Sequence, residues 1–402
     1  MRFHLVIAVW GDKYISHLSN VGLHTLLAPN NLGALPRLSE SRFIFYVPER
    51  DEVTLRSQPM IQRLHQLINV TYKRIEPAQF SEPHLALSEA HRQSVLDAAA
   101  DGAHLVVLSP DSIMSDGTLA TVGKRAAEGR AAIMVTGLRL VEETAVPALR
   151  AIFADPNQAR EIVDARAMIR FATNHFHPEV PRYQVDSEYF TPHPLLCLWP
   201  IKGRGLLQRA FHLHPLLIDA TRIPEKSLRA LAHDTIDGDF VMRAFPNLAD
   251  VVVEQDSDEV LMFSFSSSRD HLSPMVPNKF TLPLLQRTAY RDNVNALHRY
   301  LFTQPIRLHV DDLDETWRKL EDETASIALL ASNIKIDPSV MTEGTDKNGM
   351  ASIEVRPGLL EKMPFPHMRS AARVALQLAR EGHYLKLMQK VGNRLRRSVG
   401  WT

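Results

Sequence analysis

Short, nearly unbroken apolar runs alternate along the first half of the chain with stretches whose apolar residues recur every three or four positions. The runs at 3–9, 42–47, 69–75, 103–109 and 131–136 are too short for helices. Runs that keep no polar face predict strands of a parallel sheet covered on both sides. Between them, 13–27 carries Ile15, Leu18, Val21 and Leu26 at close to helical spacing, and further helices are predicted over 60–68, 89–100, 117–128, 142–153 and 157–173. Strands separated by helices predict an α/β fold with right-handed crossovers.

The run at 103–109 organises the rest. Asp101-Gly102 precede it and Ser109-Pro110-Asp111 follow. Pro110 cannot donate to a sheet ladder, so the strand should stop at Ser109. Asp111 then lies just past the carboxyl end of a central strand, where open α/β sheets bind ligands. It is either a turn residue or the holder of a divalent cation that neutralises a diphosphate. Asp116 can cap the helix that follows. Trp10-Gly11-Asp12 leaves the first strand at the same edge and should face the same crevice. Trp10 or Tyr14 can stack on a nucleobase and Asp12 can bond a ribose or base edge; the alternatives are a packed aromatic and a helix cap.

Composition narrows the class. Of 402 residues, 45% are hydrophobic and 23% charged, with a formal net charge of zero. These values suit a folded globular protein and give no electrostatic case for nucleic acid. The single cysteine, Cys197, excludes an intrachain disulfide framework and reads as a small core residue. No apolar run reaches about 18 residues and the N-terminus lacks a secretory cleavage pattern, so a cytoplasmic protein is expected. Neither G-x-G-x-x-G nor G-x-x-x-x-G-K-[ST] is present, which disfavours a dinucleotide site or a P-loop.

From about residue 175 the texture changes. His175, His177, His193, His212 and His214 are crowded among prolines. In an extended segment His212 and His214 share a face, and paired imidazoles can ligate a metal or donate to phosphate. Lys202-Gly203-Arg204-Gly205 can offer cations to phosphates or form a solvated turn. Asp237 and Asp239 flank Gly238, so one carboxylate can serve as general base to an acceptor hydroxyl; the alternative is a turn with Asp239 as helix cap. Asp256-Ser257-Asp258 spells a metal-binding pattern, but an acidic loop between strands ranks below Asp111 as the metal site. Helices are predicted over 281–302 and 312–332. The 371–402 stretch, with seven Lys and Arg against Glu381, suits either a helix on an anionic membrane or one docked on its own domain.

Trp10-Gly11-Asp12, Ser109-Pro110-Asp111 with Ser115-Asp116-Gly117, Phe211-His212-Leu213-His214-Pro215-Leu216, Thr235-Ile236-Asp237-Gly238-Asp239 and Asp256-Ser257-Asp258-Glu259 together resemble the nucleotide-sugar glycosyltransferases of GT-A type. More narrowly, the chain is similar to bacterial glycosyltransferase-like proteins that accompany polysaccharide genes, over roughly residues 1–265. The resemblance implies a Rossmann-like GT-A fold with a mostly parallel central sheet, and the residue pattern beyond it predicts a helical C-terminal region. Three parts follow: a nucleotide-sugar half over 1–175, an acceptor and metal half over 176–270, and a helical region over 271–402. It implies an Asp-x-Asp motif after the fourth strand that holds Mg or Mn on the donor diphosphate, completed by a later His. By position Asp111 is the second carboxylate, His212 or His214 is the later ligand, and Ser109 replaces the first carboxylate. Imidazole ligation would tilt the choice towards Mn. Trp10, Gly11, Asp12, Ser109, Asp116 and Lys202 are then expected around the donor, with Asp237 and Asp239 as catalytic candidates. The expected reaction moves a sugar onto a glycan or lipid-linked acceptor. An inactive binding module on the same fold and a sugar nucleotidyltransferase are the alternatives.

Overall fold

The computed structural model describes residues 1–332 apart from 231–235, 237, 271, 273–274 and 291–293; the side chains of 83, 230, 238 and 239 also lie outside the description. The strands in chain order are β1 (Phe3–Ala8), β2 (Arg42–Val47), β3 (Asn69–Arg74), β4 (His104–Leu108), β5 (Ser112–Met114), β6 (Ala132–Val135), β7 (Leu138–Val141), β8 (Leu196–Ile201), β9 (Gly205–Ala210), β10 (His214–Asp219), β11 (Val251–Val253), β12 (Met262–Ser266) and β13 (Ile306–His309). Seven of them form the central sheet in the order β11-β6-β10-β4-β1-β2-β3. β1 runs parallel to β2 and β4, β2 to β3, and β11 to β6. β10 alone is reversed, antiparallel to β4 and β6. This is the α/β architecture with a mostly parallel central sheet that the sequence leads one to expect.

Its physical basis is the unbroken apolar run. All six residues of β1 and all four of β6 are buried. Successive side chains point to opposite faces, so Phe3, Leu5 and Ile7 enter one core and Val6 and Ala8 the other.

Three predicted helices are interrupted. The 13–27 stretch is helical over Asp12–His17 and Leu23–Leu26, with a π turn at Leu18–Gly22. A Cβ at Gly22 would sit 3.0 Å from the Ser112 carbonyl oxygen, so this turn presses close against β5. The 157–173 stretch divides into Pro156–Ile162 and Ala165–Thr173 because the Asp164 carboxylate accepts from the Ala167 N–H and starts a new helix. The 281–302 stretch divides into Leu282–Ala289 and Ala296–Thr303. Asp116 does not cap Thr118–Ala127; Gly117, at φ 95°, precedes that helix without a side-chain cap.

Two small sheets complete the described residues, β5-β12-β7 and β13-β9-β8. The second draws β13 from the region read as helical and pairs it with β9. A Cβ at Gly205 would collide with the Leu308 carbonyl oxygen, so only glycine admits this pairing. Cys197 is buried with Trp199, Phe211, Phe302 and Trp317, as expected of a core residue, and burial pushes its thiol up. No helix among the described residues is long and apolar enough to cross a membrane. The basic 371–402 stretch lies outside the described residues.

Candidate functional site

The reversal of β10 brings its first residue to the carboxyl edge of the parallel strands. His214 stands opposite Val135 at the end of β6, and a bulge follows between Pro215 and Leu217. Bulges re-aim side chains and accommodate a proline that cannot donate. A cavity of about 780 Å³ opens at this edge. Trp10 from the turn after β1, Ser109 to Ser112 after β4, Thr136 and Gly137 after β6, and His214 all line it. Segments far apart in sequence therefore converge on one space.

The small sheet β5-β12-β7 closes one side of the cavity. Ser112 pairs with Ser264, and Ser264 with Arg139, so these three form one row across the sheet. Helix Pro83–Ala100 contributes His84, Leu87 and His91, at spacings that share a helical face. Lys13, Tyr14, Glu142, Asp270 and Ile236 also reach the cavity. The loop after β12 is held by Glu143, which accepts from the Ser268 N–H at 3.0 Å and the Ser267 hydroxyl at 2.8 Å. Those backbone and hydroxyl donors hold the Glu143 carboxyl down at about 2.

Electrostatically the cavity mixes signs. Lys13 pairs with Glu142 at 2.8 Å, and although burial works against the ammonium, this bond raises its pKa. Ser109 donates its hydroxyl to Asp111 Oδ1. The Asp111 carbonyl accepts from Phe265 N–H at 2.8 Å, which ties the turn to β12. Burial pushes His91 down to about 4. His214 also titrates below the ordinary histidine range, chiefly through lost hydration, with Arg139 and His212 adding to the effect.

The other expected residues go elsewhere. Gly11, at φ 78°, donates its N–H to the buried Asp51 at 2.7 Å and begins the helix on which Asp12 lies exposed. Neither lines the cavity. Both oxygens of Asp116 accept from Asn30, at 2.7 and 2.8 Å, in a loop-to-loop tie away from the cavity wall. His212 lies on the non-strand crossover between β9 and β10, where alternation of faces does not hold, and its ring rests on His298 with centroids 4.1 Å apart. Lys202 is exposed in the turn between β8 and β9. Asp237 lies outside the described residues, and Asp239 falls within helix Gly238–Ala244 with its side chain outside the description.

A second cluster was ranked low from sequence. Asp256, Asp258 and His309 bring one donor atom each within 4.8 Å of one another and could hold a metal ion. His309 Nδ1 lies 2.6 Å from the Asp311 carbonyl and must donate to it; Nε2 lies 2.8 Å from Asp256 Oδ1. Nε2 therefore needs a proton or a metal between it and the carboxylate. Burial alone would lower this imidazole, but Asp256, the Asp311 carbonyl and Asp258 together raise it. None of the three lines the cavity. The Mg or Mn site implied at Asp111 with His212 and His214 finds no such convergence. Only Asp111 and His214 face the cavity, and the Ser109 hydroxyl already occupies Asp111 Oδ1. His309 was missed because Ile-Arg-Leu-His is a four-residue strand between helices, too short to show a period.

No protein-family model matches the chain, and no curated protein matches it. Among solved structures, it is similar to Staphylococcus aureus TarS at 14% identity, TM-score 0.22, over 35% of this chain and 22% of that one. A TarS fragment, 1-349, aligns at 11% identity and TM-score 0.30 over 82% of this chain and 71% of that one. Mouse xyloside xylosyltransferase 1 aligns at 8% identity and TM-score 0.23 over 44% of this chain and 77% of that one. At such values these likenesses carry no chemistry to the present chain.

Proposed function

We propose that the chain is a GT-A-type glycosyltransferase that moves a sugar from a nucleotide-diphosphate donor to a polysaccharide, lipid-linked or other glycoconjugate acceptor. One observation carries this reading: Trp10, Asp111 and His214, from three separate segments, line a single cavity of about 780 Å³ at the carboxyl edge of the sheet. That volume suits a small-molecule substrate. Trp10 and Tyr14 offer faces on which a base can stack. Transfer breaks a C–O bond and leaves charge on the diphosphate, which fixed donors must stabilise. Asp237 and Asp239 are the proposed bases for the acceptor hydroxyl, and Ile236, the neighbour of Asp237, lines the cavity. In this reading 1–175 is the donor half and 176–270 the acceptor half. The basic 371–402 stretch fits the inner face of an anionic membrane, where lipid-linked acceptors lie.

Calorimetric titration with UDP-, GDP- and CMP-sugars, with and without Mn, tests the reading alongside donor hydrolysis. Asp111→Ala is expected to lower hydrolysis while thermal unfolding is unchanged. A chain that neither binds nor hydrolyses any sugar nucleotide would overturn the assignment. The bond from Ser109 to Asp111 favours one other reading, a binding module, which tight binding without turnover would identify. A nucleotidyltransferase would instead release pyrophosphate from a nucleoside triphosphate.

A further inference from the structure

Strand β7 alternates, with Leu138 and Leu140 buried and Arg139 exposed towards the cavity. Arg139, Ser264 and Ser112 occupy one row of the small sheet, and Ser266, two residues beyond Ser264, shares its face. All four line the cavity. Two strand spacings of about 4.8 Å place the Arg139 backbone roughly 10 Å from that of Ser112, the neighbour of Asp111. Along this row a carboxylate stands at one end and a guanidinium at the other, while the Lys13–Glu142 pair and Asp270 line the cavity elsewhere.

The guanidinium is unspent. Among the described residues no carboxylate comes within 4.0 Å of Arg139, and neither the Ser264 nor the Ser266 hydroxyl has a hydrogen-bond partner. The other cavity cation, Lys13, is held by Glu142 at 2.8 Å and also feels Asp270. A forked guanidinium flanked by two open hydroxyls is a donor set for an oxyanion. It cannot ligate a cation, because Arg carries donors only.

We propose that Arg139, Ser264 and Ser266 form the subsite for the donor diphosphate and hold its charge without a metal ion. The inference rests on the sugar-nucleotide reading above, and it assigns the leaving group to the β7 and β12 end of the row rather than to Asp111. Asp111 is then free to face the sugar or the acceptor.

Calorimetry on the full chain in EDTA, with UDP, GDP, CDP and inorganic pyrophosphate, tests it. The wild type is expected to bind without Mn. Arg139→Ala should weaken binding of nucleotide and pyrophosphate at least tenfold, Arg139→Lys should recover part of that loss, and Ser264→Ala should cost a few-fold. Unfolding temperatures measured in parallel keep a folding defect from passing as a binding defect, and Ser264→Ala reports should Arg139→Ala fail to fold. Binding that requires Mn and is indifferent to Arg139→Ala overturns the inference and leaves the sugar-nucleotide reading standing. Arg139-dependent pyrophosphate binding with no affinity for any nucleotide supports the anion subsite and sinks the sugar-nucleotide reading. Binding of none of these anions overturns the subsite.

Discussion

The cavity and the Asp256 cluster contain the same kinds of groups, carboxylates, imidazoles and guanidinium, yet they are wired in opposite ways. Around Asp256 the charges meet partners of opposite sign. His309 meets Asp256 at 2.8 Å, Arg166 meets Asp258 at 2.8 Å and Asp312 at 2.9 Å, and Arg204 meets Asp314 at 2.9 Å. In the cavity Arg139 meets no carboxylate among the described residues and two serine hydroxyls stay open. The histidines record the contrast: His309 is raised by its carboxylates, whereas His214 and His91 are lowered by lost hydration. Matched charges hold a fold together; an unmatched guanidinium in a cavity is a candidate for ligand binding.

Removing one member from each place separates the two roles. Asp256→Ala should cost about 2 kcal/mol, because it leaves the buried His309 Nε2 without its charged partner. Arg139→Ala should stay within about 0.5 kcal/mol, since no ion pair or side-chain hydrogen bond among the described residues is lost. Urea unfolding measures both. Equal losses would mean that Arg139 is structural and that the contrast is false. A divalent cation offers a second comparison at the cluster. If Zn or Mn displaces the proton on His309, added metal raises the unfolding temperature of the wild type by mass action and leaves Asp258→Ala unmoved.

The sequence makes one of these places far easier to read than the other. Continuous apolar runs marked β1, β2, β4 and β6, and a proline stop located Asp111, because burial on both faces and a missing N–H leave local signatures. His214 was legible as a motif, though its pairing with His212 was not. The face-sharing rule needs an extended strand, and His212 precedes the strand on a crossover. Arg139 and His309 left no signal. Each sits on a four-residue strand whose role depends on partners far away in sequence, Ser264 in one case and Asp256 in the other. Register across a sheet is a tertiary fact, and short strands do not announce it.

The opposite shifts of the histidines predict opposite pH limbs. His91 titrates near 4 when folded and near 6.5 when unfolded, so its contribution is complete above about pH 6.5 and lost as pH falls towards 4. His309 is raised, so the stability from its Asp256 pair is complete below about pH 6.5 and lost as pH climbs through its folded value. In unfolding-temperature profiles taken in EDTA, His91→Gln should flatten the acid limb only, and His309→Gln the alkaline limb only. If both variants flatten the same limb, cavity and cluster do not differ electrostatically.

The smallest effect is the most local. Lost hydration within the cavity lowers the His214 pKa, with the Arg139 guanidinium as the next contributor and His212 behind it. Arg139→Ala removes a like charge and does not restore that hydration, so the His214 pKa should rise without reaching its ordinary value. Titration of its imidazole carbon proton by NMR reads this directly. Saturating inorganic pyrophosphate should raise the same pKa in the wild type, because an oxyanion on Arg139 cancels the repulsion, and should leave it unmoved in Arg139→Ala. A His214 titration that ignores both changes would place Arg139 out of reach of the imidazole.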